Sequence, residues 1–562
     1  DNGDREIQQT WTGREAHDQS LGFGHIILSA EAARIPELAG DANPAQDAVD
    51  VLVGSTLSWR PGDYAVKHDV YFGTSLDDVN NATTPASAGQ SEATYDPGVL
   101  DYGQTYYWRV DEVNGAPDNT VFKGEVWNFT VEPLSIPVEG ISVTASSSNS
   151  DQMAPEKTID GSGLNELDQH STIATDMWLS AAGPAPWIQY EFDKVYKLDP
   201  LIVWNSNQLI ESFLGLGAKD VTIETSVDGA VWTALEGPIV FNQGTSMDDY
   251  LANTAVDFAG TMAQYVKITI NAGYGMIPQY GLSEVRFLAI PTSAREPEPG
   301  DGSMAETADV VLDWRAGREA VSHEVYLGTD AANLSLAATT DDSLYAAGIL
   351  DYGTTYYWSV TEVNEAGTPP SYAGTVWSFT TPAYGIVDDF EQYDNQCNRI
   401  FFAWEDGLGH NGGTEIEGCD EPASNGNGGG SIVGNDQAPF AEKSIVNVNS
   451  KQSMPLNYDN SFGPSEATLT IPGQDWSAGG VTSLSLFFHG EPDNSGQLYV
   501  KINNSKVVYN GDAADIGQAQ WLQWNIDLSS VAGLQNVTTL TIGVDGASAA
   551  GMLYIDDIRL SP

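Results

Sequence analysis

Positive charge is what this 562-residue chain has least of. Lys and Arg number 22 against 78 Asp and Glu, a formal net charge of −56. A phosphate-binding surface needs clustered Lys and Arg, so nucleic acid is excluded as a partner. An anionic membrane surface is disfavoured for the same reason. Such acidity suits high solubility, cation binding, or a salty medium that screens self-repulsion. Long apolar runs are missing as well: no stretch of about 18 apolar residues occurs, so no transmembrane helix and no membrane insertion are expected. A charged leader followed by an apolar core is absent too, which predicts a mature chain or an excised region. Cysteine is nearly absent, with Cys397 and Cys419 as the two present. Both lie in a Gly/Asn-rich loop that lacks the partner set zinc needs. They read as a disulfide, with free thiols as the alternative. Such a bridge stabilises by about 3 kcal/mol in the chain-entropy treatment and implies an oxidising compartment.

Catalytic signatures are missing in turn. There is no His-Glu-x-x-His, no Gly-x-Ser-x-Gly and no phosphate loop. Gly407-Leu408-Gly409-His410-Asn411-Gly412 has dinucleotide-type spacing. No strand precedes it and no helix follows, so it reads as a turn-rich loop. A carboxylate pair for glycoside hydrolysis is defined by spatial separation and has no linear signature. The segments described below nevertheless resemble binding or spacing units, and on that resemblance the chain is expected not to be an enzyme.

What is present is a duplication flanking a different segment. The length predicts three to five domains. Leu57-Ser58-Trp59 returns as Leu312-Asp313-Trp314, and His68 to Thr74 returns as His323 to Thr329. Leu100 to Trp108 returns as Leu350 to Trp358, with a smaller offset, so the second copy has lost residues in a middle loop. Short alternating strands between Gly, Pro and Asp turns predict β-sandwiches. By period two, Tyr106, Trp108 and Val110 face inward, and Tyr107, Arg109 and Asp111 outward. His68 with Glu112 and His323 with Glu362 occur in both copies, which duplication alone explains. The pattern around Leu100, Tyr106, Trp108 and Val110 resembles fibronectin type III domains, and that resemblance implies a spacer whose strand tyrosine caps a corner through its hydroxyl.

Between the copies, about Val138 to Pro291, the strand signals are Trp187–Phe192, Leu201–Trp204, Asp220–Ser226, Tyr265–Ile270 and Tyr280–Phe287. The Ile159-Asp160-Gly161 motif, the Trp178-Leu179-Ser180 motif, the Val227–Trp232 hairpin and the closing Ser283-Glu284-Val285-Arg286-Phe287 strand together resemble the discoidin or coagulation-factor C-type family. That resemblance implies a galactose-binding-like jelly roll, a calcium ion tying the opening loop to the closing strand, and glycan contacts on loops at one end. Asp160, Asp168, Ser171 and Glu284 are the calcium candidates, since calcium takes six to eight hard oxygens. His170, Trp204, Asn205, Asn207, Gln208, Tyr274 and Tyr280 are the glycan candidates. The bland readings stand beside them: surface acids abound in this chain, and Trp204 sits in an apolar run that can be core.

Beyond the second copy, Ile386–Glu391 and Leu553–Leu560 resemble the first and last strands of carbohydrate-binding jelly rolls. The resemblance implies that these ends pair and that Asp389, Glu391 and Asp557 hold a structural calcium. Strands are expected near Gln452–Leu456, Leu484–His489, Leu498–Ile502 and Trp521–Ile526.

The expected architecture is therefore all-β, a string of β-sandwich modules. It comprises an N-terminal arm (1–40), a fibronectin type III-like module (41–133), a discoidin-like jelly roll (134–291), a second fibronectin type III-like module (292–383) and a C-terminal jelly roll (384–562). The order resembles that of planctomycete-type extracellular proteins. It implies an extracellular or cell-surface protein, non-catalytic, that binds glycans or matrix polysaccharide, with calcium as its cofactor. The alternatives are a subunit of a self-assembling filament or layer and an accessory region of a larger secreted glycoside hydrolase. The arm carries an apolar run, Ile26-Ile27-Leu28, and is expected to dock on a sheet edge, of the first repeat or of another copy of the chain.

Overall fold

The structure, a computed structural model, describes residues 35–117, 119–410 and 426–562. Residues 1–34 of the arm and Cys419 lie outside the described residues. Strands dominate throughout, and helix is limited to short segments such as Leu76–Asn81, Glu211–Leu214 and Ile400–Ala403. The chain divides into two compact units, Asp1–Leu134 and Ser135–Pro562.

The first unit packs a three-stranded sheet (Gly40–Asn43, Leu57–Arg60, Thr94–Tyr95) over a larger one built on Ala65–Gly73, Thr105–Asn114 and Trp127–Val131. Leu57, Trp59, Val70, Trp108, Val110 and Phe129 form its core. The hydroxyl of Tyr106 accepts the Asp101 amide at 3.1 Å, and that of Tyr356 accepts the Asp351 amide at 3.2 Å in the second copy. Both corners are capped as the resemblance to fibronectin type III domains implies. The outward assignment of Arg109 and Asp111 is corrected: they are 2% and 6% exposed. The helix Leu76–Asn81, part of the loop that the second copy shortens, lies over this face. Arg109 donates to the carbonyls of Val79, Asn80 and Ala82 and pairs with Asp111 at 2.8 Å. The second copy has Ser359 and Thr361 at these positions, so the ion pair and its covering helix go together.

The shared histidines are structural. His68 lies 5.4 Å from the Trp59 ring, and its Nδ1 meets Glu112 at 2.5 Å. The other Glu112 oxygen accepts the Gly62 amide at 3.2 Å. His323, Glu362, Trp314 and Gly317 repeat the arrangement. A buried carboxylate needs such partners, and here they fasten a loop to the core.

In the second unit the segment between the repeats forms a ten-stranded sheet system whose central path runs through Gly281–Ile290, Trp187–Asn205, Thr261–Gly273 and Ala218–Ser226. Trp187–Phe192 and Leu201–Trp204, which read as separate strands, are one long strand. It bulges between Glu191 and Tyr196 and between Leu198 and Leu201. Asp193 and Pro200 interrupt the pattern without ending the pairing, because a bulge bends a strand and leaves its ladder to resume. Ile188, Tyr190, Val203, Ile223, Ile268 and Phe287 fill the interior.

The C-terminal sandwich has one sheet ordered Ser431–Val433, Met454–Asp459, Ala550–Ser561, Ser483–His489, Trp521–Asp527, and a second built on Ser465–Gln474, Val537–Asp545 and Gln497–Ile502. The first and last strands pair, Gly385 opposite Leu560, as their resemblance implied. Trp404, Trp476 and Trp524 are buried between the sheets. Cys397 is disulfide-bonded.

Candidate functional site

At one end of the central sandwich the loops around residues 161–176, 206–217, 241–253 and 274–280 interlock. Asn207 is the pin. Its side-chain amide donates to the carbonyls of His170, Ser171 and Met247, and its oxygen accepts the Ser246 amide at 2.8 Å. Asn205 donates to Ala218 and Asn242 and accepts the amides of Ser206 and Ala218. Glu211, fully buried, accepts the amides of Leu216 and Gly217 at 3.0 and 2.9 Å. The Gly275 amide reaches Gly215 at 2.8 Å, and the Ser212 amide reaches Ser246 Oγ at 2.8 Å.

These bonds correct the glycan candidates. His170, Trp204, Asn205, Asn207 and Gln208 are all buried, so their side chains do not face solvent. Trp204 donates to the Asp168 carbonyl, and the His170 ring packs on Gly163, where a Cβ would lie 2.2 Å away. Tyr274 is half-buried and donates to the Phe241 carbonyl, while Tyr280 packs against the core. What the braced loops present outward is different and was missed. Ile173, Leu209, Ile210, Phe213, Met247, Leu251, Met276 and Ile277 are exposed, Phe213 to 88% and Met276 fully. Apolar residues inside Gly- and Ser-rich stretches were the available signal. It lacks a period, since the eight are spread over four loops.

The calcium candidates of this module separate. Asp168 takes both nitrogens of Arg286, at 2.9 and 3.0 Å, and Ser171 donates to Asp176. Both side chains are thus engaged by neighbours within the protein. Glu284 and Asp160 remain together. Glu284 is buried with one oxygen lacking a partner, and its carboxyl is pushed up to about 8 by burial and then by the charge of Asp160, against the Gly161 amide it accepts. Lys157 pairs with Asp160 at 3.0 Å, so the positive charge beside this buried carboxyl comes from a half-exposed lysine, in whose place a hard cation completed by loop carbonyls fits. Among the described residues no group of three or more His, Cys, Asp or Glu side chains converges as an ion cage.

In the C-terminal module Asp389, Glu391 and Asp557 line one cleft of about 500 Å³ with Tyr384, Asn447 and Arg559. Glu391 accepts the amides of Lys451 and Gln452, and Asp557 accepts from Asn447 and from Arg559. Beside Asp557, Asp556 is fully buried and pushed up to about 7 by burial, although it accepts the Asn447 amide and Ser450 Oγ. On the same sheet's outer face Trp521, His489 and Tyr554 stand opposite one another on three adjacent strands, with ring centroids 5.6 and 5.8 Å apart. Phe487, Gln523 and Asn525 continue that face, and Glu491 accepts the Tyr554 hydroxyl.

The F5/8 type C domain matches residues 142–280. No curated protein matches the chain. Solved structures similar to it include a CBM32 from a family 31 glycoside hydrolase of Clostridium perfringens, 20% identical, covering 28% of this chain and 95% of that one, with TM-score 0.21. The family 32 CBM of C. perfringens NanJ, in complex with galactose, is 16% identical over 28% of this chain and 98% of its own, with TM-score 0.21. The CBM32 of AlyQ, in complex with 4,5-unsaturated mannuronic acid, is 20% identical over 27% and 97%, with TM-score 0.19. The chain thus defines a class: an all-β assembly of sandwiches that includes an F5/8 type C domain.

Proposed function

We propose that this is a non-catalytic, extracellular or cell-surface protein that binds glycan for adhesion or matrix structure, stabilised by calcium. The observation that carries the reading is the crown of exposed apolar side chains on the braced loop end of the F5/8 type C segment. Large apolar side chains exposed together on neighbouring loops suit an interaction site, and loops pinned by buried Asn205, Asn207 and Glu211 keep them organised before binding. Phe213 offers a ring face to the C–H side of a sugar. Trp521, with Gln523 and Asn525 beside it, supplies a second surface of the aromatic-plus-amide kind. Calcium is held at Asp160 and Glu284, and at Asp389, Glu391 and Asp557. The test is a glycan array on the full chain with and without calcium, repeated with Phe213→Ala and Trp521→Ala. Absence of binding to any glycan in either condition would overturn the reading.

One observation favours a second reading, a subunit of a self-assembling filament or layer. Seven of the eight crown side chains named above are aliphatic or Met, which suits a protein face better than a sugar. Sedimentation and electron microscopy of the purified chain decide it. Assembly that disappears in Met276→Asp would place this reading first.

A further inference from the structure

The duplication supplies a comparison for what covers each repeat. Where the central module enters the second repeat, the Pro291 carbonyl accepts the Arg318 amide at 2.8 Å. The Thr292 carbonyl presses on Gly317, where a Cβ would lie 2.4 Å from it. The central module then rests on this face: Lys197 reaches Glu319 at 2.6 and 2.7 Å. Tyr196, Lys197 and Met262 of that module and Ser371, Tyr372 and Ala373 of the repeat line one cleft of about 720 Å³.

The first repeat has the same entry, residue for residue. The Pro36 carbonyl accepts the Asp63 amide at 2.7 Å, and the Glu37 carbonyl would lie 2.5 Å from a Cβ on Gly62. These pairs are related by the offset that relates Trp59 to Trp314. The face beside the entry differs in character. Tyr64 stands where the second repeat has Glu319, and Val121 and Phe122 stand where it has Ser371 and Tyr372. Tyr64 is 65% exposed, and Val66 and Val121 are each 55% exposed. Tyr64 and Val66 edge a hollow of about 450 Å³ with Asn114, Gly115 and Ala116. So the face that takes a module through an ion pair on the second repeat is apolar, and uncovered by described residues, on the first.

We infer that residues 1–34 dock on this face within the same chain, in the place the central module takes on the second repeat. The contact chemistry matches. Residues 21–30, Leu-Gly-Phe-Gly-His-Ile-Ile-Leu-Ser-Ala, contain no Asp, Glu, Lys or Arg although the chain's net charge is −56. An uncharged apolar stretch beside Tyr64, Val66 and Val121 buries surface on both sides. Reach is sufficient, because the seven residues from Leu28 to Ile35 span up to about 23 Å when extended, and the chain arrives at Pro36, hydrogen-bonded beside Tyr64.

Hydroxyl-radical footprinting of Tyr64, together with amide exchange of residues 62–66 and 121–124, tests the docking. Three proteins are compared: the full chain, the chain lacking Asp1–Arg34, and the full-length Ile27→Asp variant. Tyr64 should be labelled several-fold more slowly in the full chain than in the deletion, with Ile27→Asp resembling the deletion. The Ile27→Asp protein decides the question if the deletion compromises folding. Equal labelling in the full chain and the Ile27→Asp variant would overturn the inference. Protection that fades on dilution would also overturn it, since a second copy would then be the occupant.

Discussion

The central and C-terminal modules solve one problem in opposite ways. Both are sandwiches, and each buries a carboxyl group whose proton is held well above the usual range, Glu284 to about 8 and Asp556 to about 7. The central module places its exposed side chains on loops at one end, braced from below by Asn207 and Glu211. The C-terminal module places Trp521, His489 and Tyr554 across three strands of one sheet face. A sheet face inherits its order from the ladder, whereas a loop end must be ordered by buried polar bonds that a strand never needs.

The largest expected effect comes from pH in the absence of calcium. Folding raises the pKa of Glu284, so the native state binds the proton more tightly than the unfolded chain. Its contribution is present below the ordinary carboxylate range and is lost as pH rises toward about 8. A loss on the order of 3–5 kcal/mol in the central module follows, measurable by urea unfolding at pH 5 and pH 8 in chelator. Glu284→Gln should flatten that dependence, and a profile that stays steep in the variant would contradict the assignment. Asp556 runs in the same direction over a lower window, ending near pH 7, so Asp556→Asn separates the two modules.

Next comes the ion itself. At a hundredfold excess over its dissociation constant, calcium should add about 2.7 kcal/mol to a module that binds it only when folded. Calorimetry should show that gain in the wild-type central transition and not in Glu284→Gln. A gain retained in the variant would move the site elsewhere. The C-terminal transition should respond instead to Asp557→Asn.

Glycan contacts rank third. Phe213→Ala and Trp521→Ala should each weaken binding by about tenfold, roughly 1.4 kcal/mol, with melting temperature unchanged because both side chains lie at the surface. If Trp521→Ala alone has an effect, the sheet face is the binder and the crown serves another partner. Smallest is Asp168→Asn. Its pair with Arg286 is half-exposed, and surface pairs contribute about 0–1 kcal/mol. Calcium response should survive that change, which distinguishes Asp168 from Glu284.

Much of the architecture was legible because strands carry a period. The strands follow from alternation and the duplication from recurring residues, while the Tyr106 and Tyr356 corners and the pairing of Gly385–Asp388 with Ala550–Ser561 are expected from resemblance to known sandwiches. Arg109 shows where that reading stops. Its position in the alternation faces outward, yet a helix from a loop some thirty residues earlier in sequence covers it. Asn205 and Asn207 show the same limit in the site. Amides near the end of a strand suit a sugar or a neighbouring loop equally well, and only the carbonyls of Ala218, His170 and Met247 arriving beside them decide which.

By itself, the sequence determined an acidic, all-β chain of sandwiches with one duplicated unit, because charge sums linearly and side-chain alternation is local to each strand. Only the tertiary structure decided which polar residues are consumed inside and which apolar ones are left outside. That choice depends on loops from distant parts of the chain meeting at one end of a sheet. Whether Glu284 is short of a partner, or Phe213 of a cover, depends on what the rest of the fold brings to it.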